Sequence, residues 1–360
     1  MDRTLSACLK LALLMMLAGT LAIPPAALAA KNDSLGTAVG TELAACPSDP
    51  GGLSGTCWGL NVSCPLVTQI QPYDATLKVT SPSGASIGTV IFITGGGGVG
   101  FYDTQFTDGS DLINAVVKAD FTAVQIVFDN QVAGWLTGPA LDGNGPLSLA
   151  CLPATSMQWV HDHILTSGTP LCATGNSGGS FAIAYALSQY GLGSIFSMVE
   201  ATSGPELSRI DQGCAPVHEF VACATCGSGT QSESYGLNNA ENFVDPAYTG
   251  VVDGKPNGPC SKGINGSTQS AGLFHHDSIL SDTAAPILSF PTTDIRFVFG
   301  GQDLTGGAIP EGLEWASVIT SQITIVCVPS AGHMMANYMA GATQIENDLI
   351  NYCKLQQPTH

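Results

Sequence analysis

Thr174-Gly175-Asn176-Ser177-Gly178-Gly179-Ser180 is the stretch whose reading decides the fold of this chain. It follows a short apolar run, Pro170-Leu171-Cys172-Ala173, and precedes residues 181–187, Phe-Ala-Ile-Ala-Tyr-Ala-Leu, which read as a helix. Strand, Gly-x-Ser-x-Gly and helix, in that order, is the context of a nucleophile elbow. The turn is so tight that glycines must flank the serine, and the hydroxyl of Ser177 then stands exposed at the carboxyl end of a strand. With 43 glycines in the chain, the match gains weight only if anion-stabilising donors, an acid and a histidine follow at other strand ends.

Working outward, residues 88–94 form a near-continuous β-branched run, as expected of a strand buried on both faces in a parallel sheet. The run ends in Gly95-Gly96-Gly97-Gly98. Residues 111–118 read as a helix, 121–128 as the next strand, 156–164 as a helix and 194–200 as a strand after the elbow helix. Beyond residue 290, strands at 294–299 and 323–328 alternate with helices near 311–318 and 334–353. Strands alternating with helices predict an α/β fold, a doubly wound and mostly parallel sheet with right-handed crossovers. From 205 to 288 the alternation stops in a stretch rich in Gly, Ser, Asn and Cys. A structureless loop of that length is improbable within a domain, so 205–288 reads as an inserted, disulfide-braced cap between two core segments, 75–204 and 289–360. Residues 30–74 read as an N-terminal arm, irregular up to 56 and with short β-type segments from 58.

The 360-residue chain is 44% hydrophobic and 11% charged, which excludes a disordered protein. Its start has Arg3 and Lys10, an apolar run over 11–23 and Ala27-Leu28-Ala29, the pattern of a secretory signal peptide over 1–29 rather than a membrane anchor. Loss of Asp2, Arg3 and Lys10 from 28 acidic and 10 basic residues leaves a net charge of −19. Nucleic acid and anionic membranes need a basic footprint, so the expected partner is a neutral or cationic substrate. The 12 cysteines in an exported chain read as a disulfide framework with at least one cysteine over once Cys8 is removed. Cys57 with Cys64, a cluster of Cys214, Cys223, Cys226 and Cys260, and Cys327 with Cys353 are candidate pairings.

A serine hydroxyl needs a base to take its proton, an acid to orient that base, and fixed N–H donors for the developing oxyanion. In a doubly wound sheet these groups meet at the carboxyl ends of strands. Three stretches meet that demand. The Gly95–98 loop brings backbone N–H groups close to a ligand; a dinucleotide loop is the competing reading, without an acidic partner at the next strand end. Gly300-Gly301-Gln302-Asp303 follows a strand and places Asp303 to orient a histidine, with Glu200 as the competing acid. Pro329-Ser330-Ala331-Gly332-His333 follows the last strand.

With these four motifs the chain resembles the α/β-hydrolase superfamily, secreted serine esterases and lipases in particular, in the family's order Ser177, Asp303, His333. The resemblance covers roughly residues 75–200 and 290–353. It implies Ser177 as nucleophile, His333 as general base and then acid, Asp303 as its orienter, and the N–H groups of Gly96, Gly97 and Gly178 as oxyanion donors. Thr94 stands where the family's His-Gly-Gly-Gly loop has histidine. It further implies cleavage of a carboxylic ester (a lipid, a polyester, an acylated polysaccharide or a small ester) without metal or organic cofactor. Peptidase or acyltransferase chemistry on the same machinery, and a non-catalytic binding protein, are the alternatives. Trp135, His276 and Met334 are candidate substrate contacts.

Overall fold

Eleven strands run along the described residues: β1 (Thr37–Glu42), β2 (Thr56–Ser63), β3 (Ala75–Thr80), β4 (Gly88–Ile93), β5 (Phe121–Val127), β6 (Leu171–Asn176), β7 (Met198–Thr202), β8 (Glu219–Phe220), β9 (Gln231–Ser232), β10 (Ser289–Gly300) and β11 (Thr320–Val328). The computed structural model describes residues 34–47, 49, 51–67, 75–128, 134–137, 145–216, 219–220, 226, 231–250 and 257–355, all within the unit Lys31–His360. The expected signal segment and Cys223 lie outside the described residues. Nine strands form one sheet in the order β1-β2-β3-β5-β4-β6-β7-β10-β11. Neighbours from β5 through β11 pair in parallel, and β1, β2 and β3 extend the sheet antiparallel. β8 and β9 form a separate two-stranded ribbon.

Every residue of β4, Gly-Thr-Val-Ile-Phe-Ile, is buried, and side-chain alternation divides the strand between two cores. Val90 and Phe92 join Leu112, Ile113 and Val116 of α1 (Gly109–Lys118) and Ile345 and Leu349 of α5 (Met339–Tyr352). Ile91 and Ile93 join the opposite core with α2 (Cys151–His163), α3 (Gly178–Ser188) and Trp315 of α4 (Ala308–Val318). The fold is therefore α/β with helices on both faces of a mostly parallel sheet. α3 is buried all round, which explains a sequence apolar on every side rather than on one stripe.

Three readings of the sequence are corrected. The arm at 30–74 is not irregular up to 56: β1 pairs with β2 at the sheet edge, and its half-exposed, half-polar residues hide the strand signal. The strand read at 194–200 lies at 198–202, because Leu192–Ser194 forms a 3-10 turn first. The disulfides join Cys46–Cys57, Cys64–Cys151, Cys172–Cys353, Cys214–Cys260 and Cys226–Cys327. Of the suggested partners only Cys214 and Cys260 pair. A disulfide needs Cα atoms about 4.4–6.8 Å apart, and the sheet brings Cys64 beside α2, and Cys172 beside the end of α5. No described cysteine is free, and among the described residues no helix is long and apolar enough to cross a membrane.

Candidate active site

The chain leaves β4 towards β5 on one side and reaches β6 on the other. This is the topological switch point where an open α/β sheet opens a crevice at its carboxyl edge. β4 and β6 are direct neighbours, with Ile93 opposite Gly175, so the Gly95–98 loop lies beside Ser177. Ser177 has φ 51° and ψ −112°, a region that a side chain other than glycine adopts only under strain. A Cβ at Gly178 would sit 1.4 Å from the carbonyl oxygen of Gly96, and one at Gly175 would sit 2.4 Å from the carbonyl carbon of Gly179. The loop and the elbow are thus packed at backbone contact.

The Gly98 N–H donates to the Gly95 carbonyl at 3.1 Å, and the Gly97 carbonyl accepts from the Trp135 N–H at 2.9 Å. The Thr94 hydroxyl donates to the carbonyls of Val99 and Gly100, both at 3.3 Å, and so closes the loop on itself.

Asp303 follows β10 and His333 follows β11. Nδ1 of His333 lies 3.0 Å from Oδ2 of Asp303, whose Oδ1 accepts from the Thr305 N–H at 2.9 Å. Asp303 is fully buried at its side chain and His333 is 24% exposed. Burial pulls the imidazole pKa down, but the bond to Asp303 and the negative charges of Glu206 and Asp303 outweigh it, and the net shift is upward. Behind the elbow, Oδ1 of Asn176 accepts from the Met335 N–H (3.0 Å) and the Thr202 hydroxyl (3.1 Å). That brace ties the loop carrying His333 to the end of β6.

Glu206 is the residue that the reading of the sequence missed. The Ser177 hydroxyl donates to its Oε2 at 3.4 Å and its Oε1 at 3.5 Å, and Oε1 lies 3.5 Å from Nε2 of His333. Among the described residues the hydroxyl's partner is Glu206 rather than His333. Burial pushes the Glu206 carboxyl up to about 7; the charge of His333 opposes that shift and Asp303 adds to it. The signal was present: Ser203-Gly204-Pro205-Glu206 follows β7 just as the Asp303 segment follows β10. Ending the strand at 200 hid it.

Glu200 sits inside β7, where its carboxyl accepts from the Thr174 hydroxyl at 2.9 Å. Burial, then the charge of Asp348, raises its pKa well above the ordinary value. It is a buried group of the sheet, and the carboxylate bonded to His333 is that of Asp303.

A cavity of about 360 Å³ opens over the elbow, lined by Gly95, Gly96, Gly97, Ser177, Glu206, Phe243, His333 and Met334 among others. Met334 is 41% exposed at its rim. Trp135 is not a lining residue: it is 1% exposed and packs edge-on against Phe181, and its neighbour Leu136 lines the cavity instead. His276 also lies away from the cavity lining, its Nδ1 3.0 Å from Asp277, which accepts from the Gly145 N–H. The inserted segment contributes Glu206, Leu207, Tyr235, Asn239, Phe243 and Val244 to the lining.

No protein-family model matches the sequence, nor does any curated protein. Among solved structures, α/β hydrolase domain-containing protein 10 from mouse is similar at 13% identity, covering 78% of this chain and 96% of its own, with a TM-score of 0.45. Est1E from Butyrivibrio proteoclasticus is similar at 9% identity, covering 77% and 92%, with a TM-score of 0.44. An acylaminoacyl peptidase from Pyrococcus horikoshii is similar at 9% identity, covering 87% and 49%, with a TM-score of 0.48. A likeness this distant concerns the fold and says nothing about the reaction.

Proposed function

On this α/β-hydrolase fold we propose a secreted serine hydrolase that cleaves carboxylic esters through an acyl-enzyme. The observation that carries the reading is the meeting, at the carboxyl ends of β6, β10 and β11, of a strained serine with a histidine bonded to a buried aspartate. The Ser177 oxygen attacks the carbonyl carbon while its proton passes to Nε2 of His333. Asp303 accepts the Nδ1 proton, holds the ring in the tautomer that leaves Nε2 free, and stabilises the imidazolium. The negative charge moves to the carbonyl oxygen, for which the N–H groups of Gly178, Gly96 and Gly97 are the proposed donors. The C–O bond then breaks, the leaving alkoxide takes the proton from Nε2, and water repeats the sequence to free the acid and Ser177.

Five disulfides among the described residues fit an oxidising compartment, and the apolar, positively flanked start of the chain supports export. The segment 205–288 acts as a cap in this reading, since its residues form one wall of the cavity. The test is a panel of p-nitrophenyl esters of increasing acyl length beside a peptide amide and a solid polyester, with Ser177→Ala as control. Ester turnover that depends on Ser177 supports the proposal. Turnover of the amide alone would move the chain to the peptidases, and no turnover of any member would count against catalysis.

A further inference from the structure

We infer that Glu206 selects the substrate. The cavity takes an acyl compound whose acyl part carries an ammonium group within roughly two or three bonds of the scissile carbonyl, held by the Glu206 carboxylate beside Ser177. The inference rests on the serine-hydrolase reading and adds a substrate class to it.

Four observations carry it. First, the carboxylate is aimed at the reacting atom: both its oxygens lie within 3.5 Å of the Ser177 hydroxyl, whereas one of them reaches Nε2 of His333. Oγ of Ser177 keeps the acyl group through both half-reactions, so a cation on the acyl part stays in contact with Glu206 throughout.

Second, Glu206 and His333 are the only charged side chains in the described lining. The groups that face Glu206 are His333, whose charge favours its ionised form, and Asp303 and Glu311, which oppose it. The nearest guanidinium in sequence, Arg209, is turned to Asp211 at 2.9 Å and Glu314 at 3.6 Å. No lysine or arginine of the described residues pairs with Glu206.

Third, the residue is held in place. The Tyr235 hydroxyl donates to the Glu206 carbonyl at 2.7 Å and to Glu311 at 3.1 Å, and the side chain of Glu206 is 13% exposed.

Fourth, charge complementarity during the reaction demands a partner. A carboxylate ionised beside the attacking oxygen opposes the negative charge that develops on the tetrahedral intermediate. An ammonium group on the substrate cancels that opposition and replaces the water that Glu206 loses on binding. Burial, which raises the carboxyl to about 7, leaves it ready to be drawn into the ionised form by an entering cation.

The test uses three phosphonates that differ in one group, 2-aminoethyl, 2-hydroxyethyl and propyl diphenyl phosphonate. Rates of Ser177 modification are read by intact mass at pH 7.5 on wild type, Glu206→Gln and Glu206→Asp. Each protein is judged by its amino-to-propyl rate ratio, so a general change in reactivity cancels. The expected ratio is about tenfold or more in wild type, near one in Glu206→Gln and intermediate in Glu206→Asp, which keeps the charge with a shorter reach.

An equal ratio in wild type and Glu206→Gln would overturn the inference. So would a hydroxyethyl probe that matches the aminoethyl probe in wild type, because hydrogen bonding would then suffice. Loss of labelling by all three probes in a folded Glu206→Gln would overturn it too, making Glu206 the base for Ser177. Failure of every probe on wild type would remove the serine-hydrolase reading itself.

Discussion

In a Glu206→Gln variant the side chain keeps its shape and loses its ionisation, and stability should respond to pH in a defined direction. Burial raises the Glu206 carboxyl from an ordinary 4.5 to about 7 in the folded protein. An acid whose folded pKa exceeds its unfolded pKa binds more protons in the native state, so stability falls as pH rises through that window. At 1.36 kcal/mol per unit, the ionised carboxylate costs the wild type about 3 kcal/mol at pH 8. Glutamine carries no such cost. The two proteins should be nearly equal near pH 4.5, and the variant should lead by up to about 3 kcal/mol at pH 8. For a domain of this length that is a melting-temperature gain of about 4 °C.

His333 works the other way. Its folded pKa is raised, so its contribution is present below the unfolded value and is lost as pH climbs through the folded one. Glu206 is one of its charge partners, so in the variant the His333 contribution should be lost at a slightly lower pH. Urea unfolding and thermal scans from pH 4.5 to 8 at low salt measure both effects. A variant less stable than wild type at pH 8, or a difference independent of pH, would refute the placement of an ionisable, buried Glu206.

Other outcomes follow from the same geometry. Asp303→Asn should lower turnover by about three to four orders of magnitude by reversing the hydrogen bond to His333, while Glu200→Gln, inside the sheet, should leave turnover within a few-fold; steady-state kinetics on the best ester decide. Lys78 is 1% exposed and bridges Asp103 at 2.8 Å and Asp49, so Lys78→Met strands two carboxylates and should cost about 3–5 kcal/mol in urea unfolding. Cys172–Cys353 spans 181 residues, and replacing both cysteines by alanine should remove about 5 kcal/mol of stability on the chain-entropy account, with a negligible loss counting against it.

The sheet was legible wherever strands are buried on both faces. β4 reads as a near-continuous β-branched run, β5 is apolar but for Thr122 and Gln125, and α1 shows its amphipathic period. The edge escaped because β1 needs one half-buried face only and carries as many polar as apolar residues. At the site, Ser177, Asp303 and His333 were legible because each follows a strand behind a glycine. Glu206 was not, because it depends on where β7 ends, and a 3-10 turn before that strand moves its end by two residues. Trp135 illustrates the opposite error. A tryptophan in a glycine-rich loop near a site attracts a binding role, yet its ring fills the core against Phe181 while Leu136 faces the cavity. Disulfide pairing depends on which strands and helices lie side by side, and cysteine spacing along the chain does not report that.

Reaction with a small neutral fluorophosphonate, read by intact mass and peptide mapping, decides whether Ser177 is the nucleophile. One adduct per chain is expected at Ser177, absent in Ser177→Ala and formed far more slowly in His333→Ala. An unmodified wild type, or an adduct on any other residue, would contradict it.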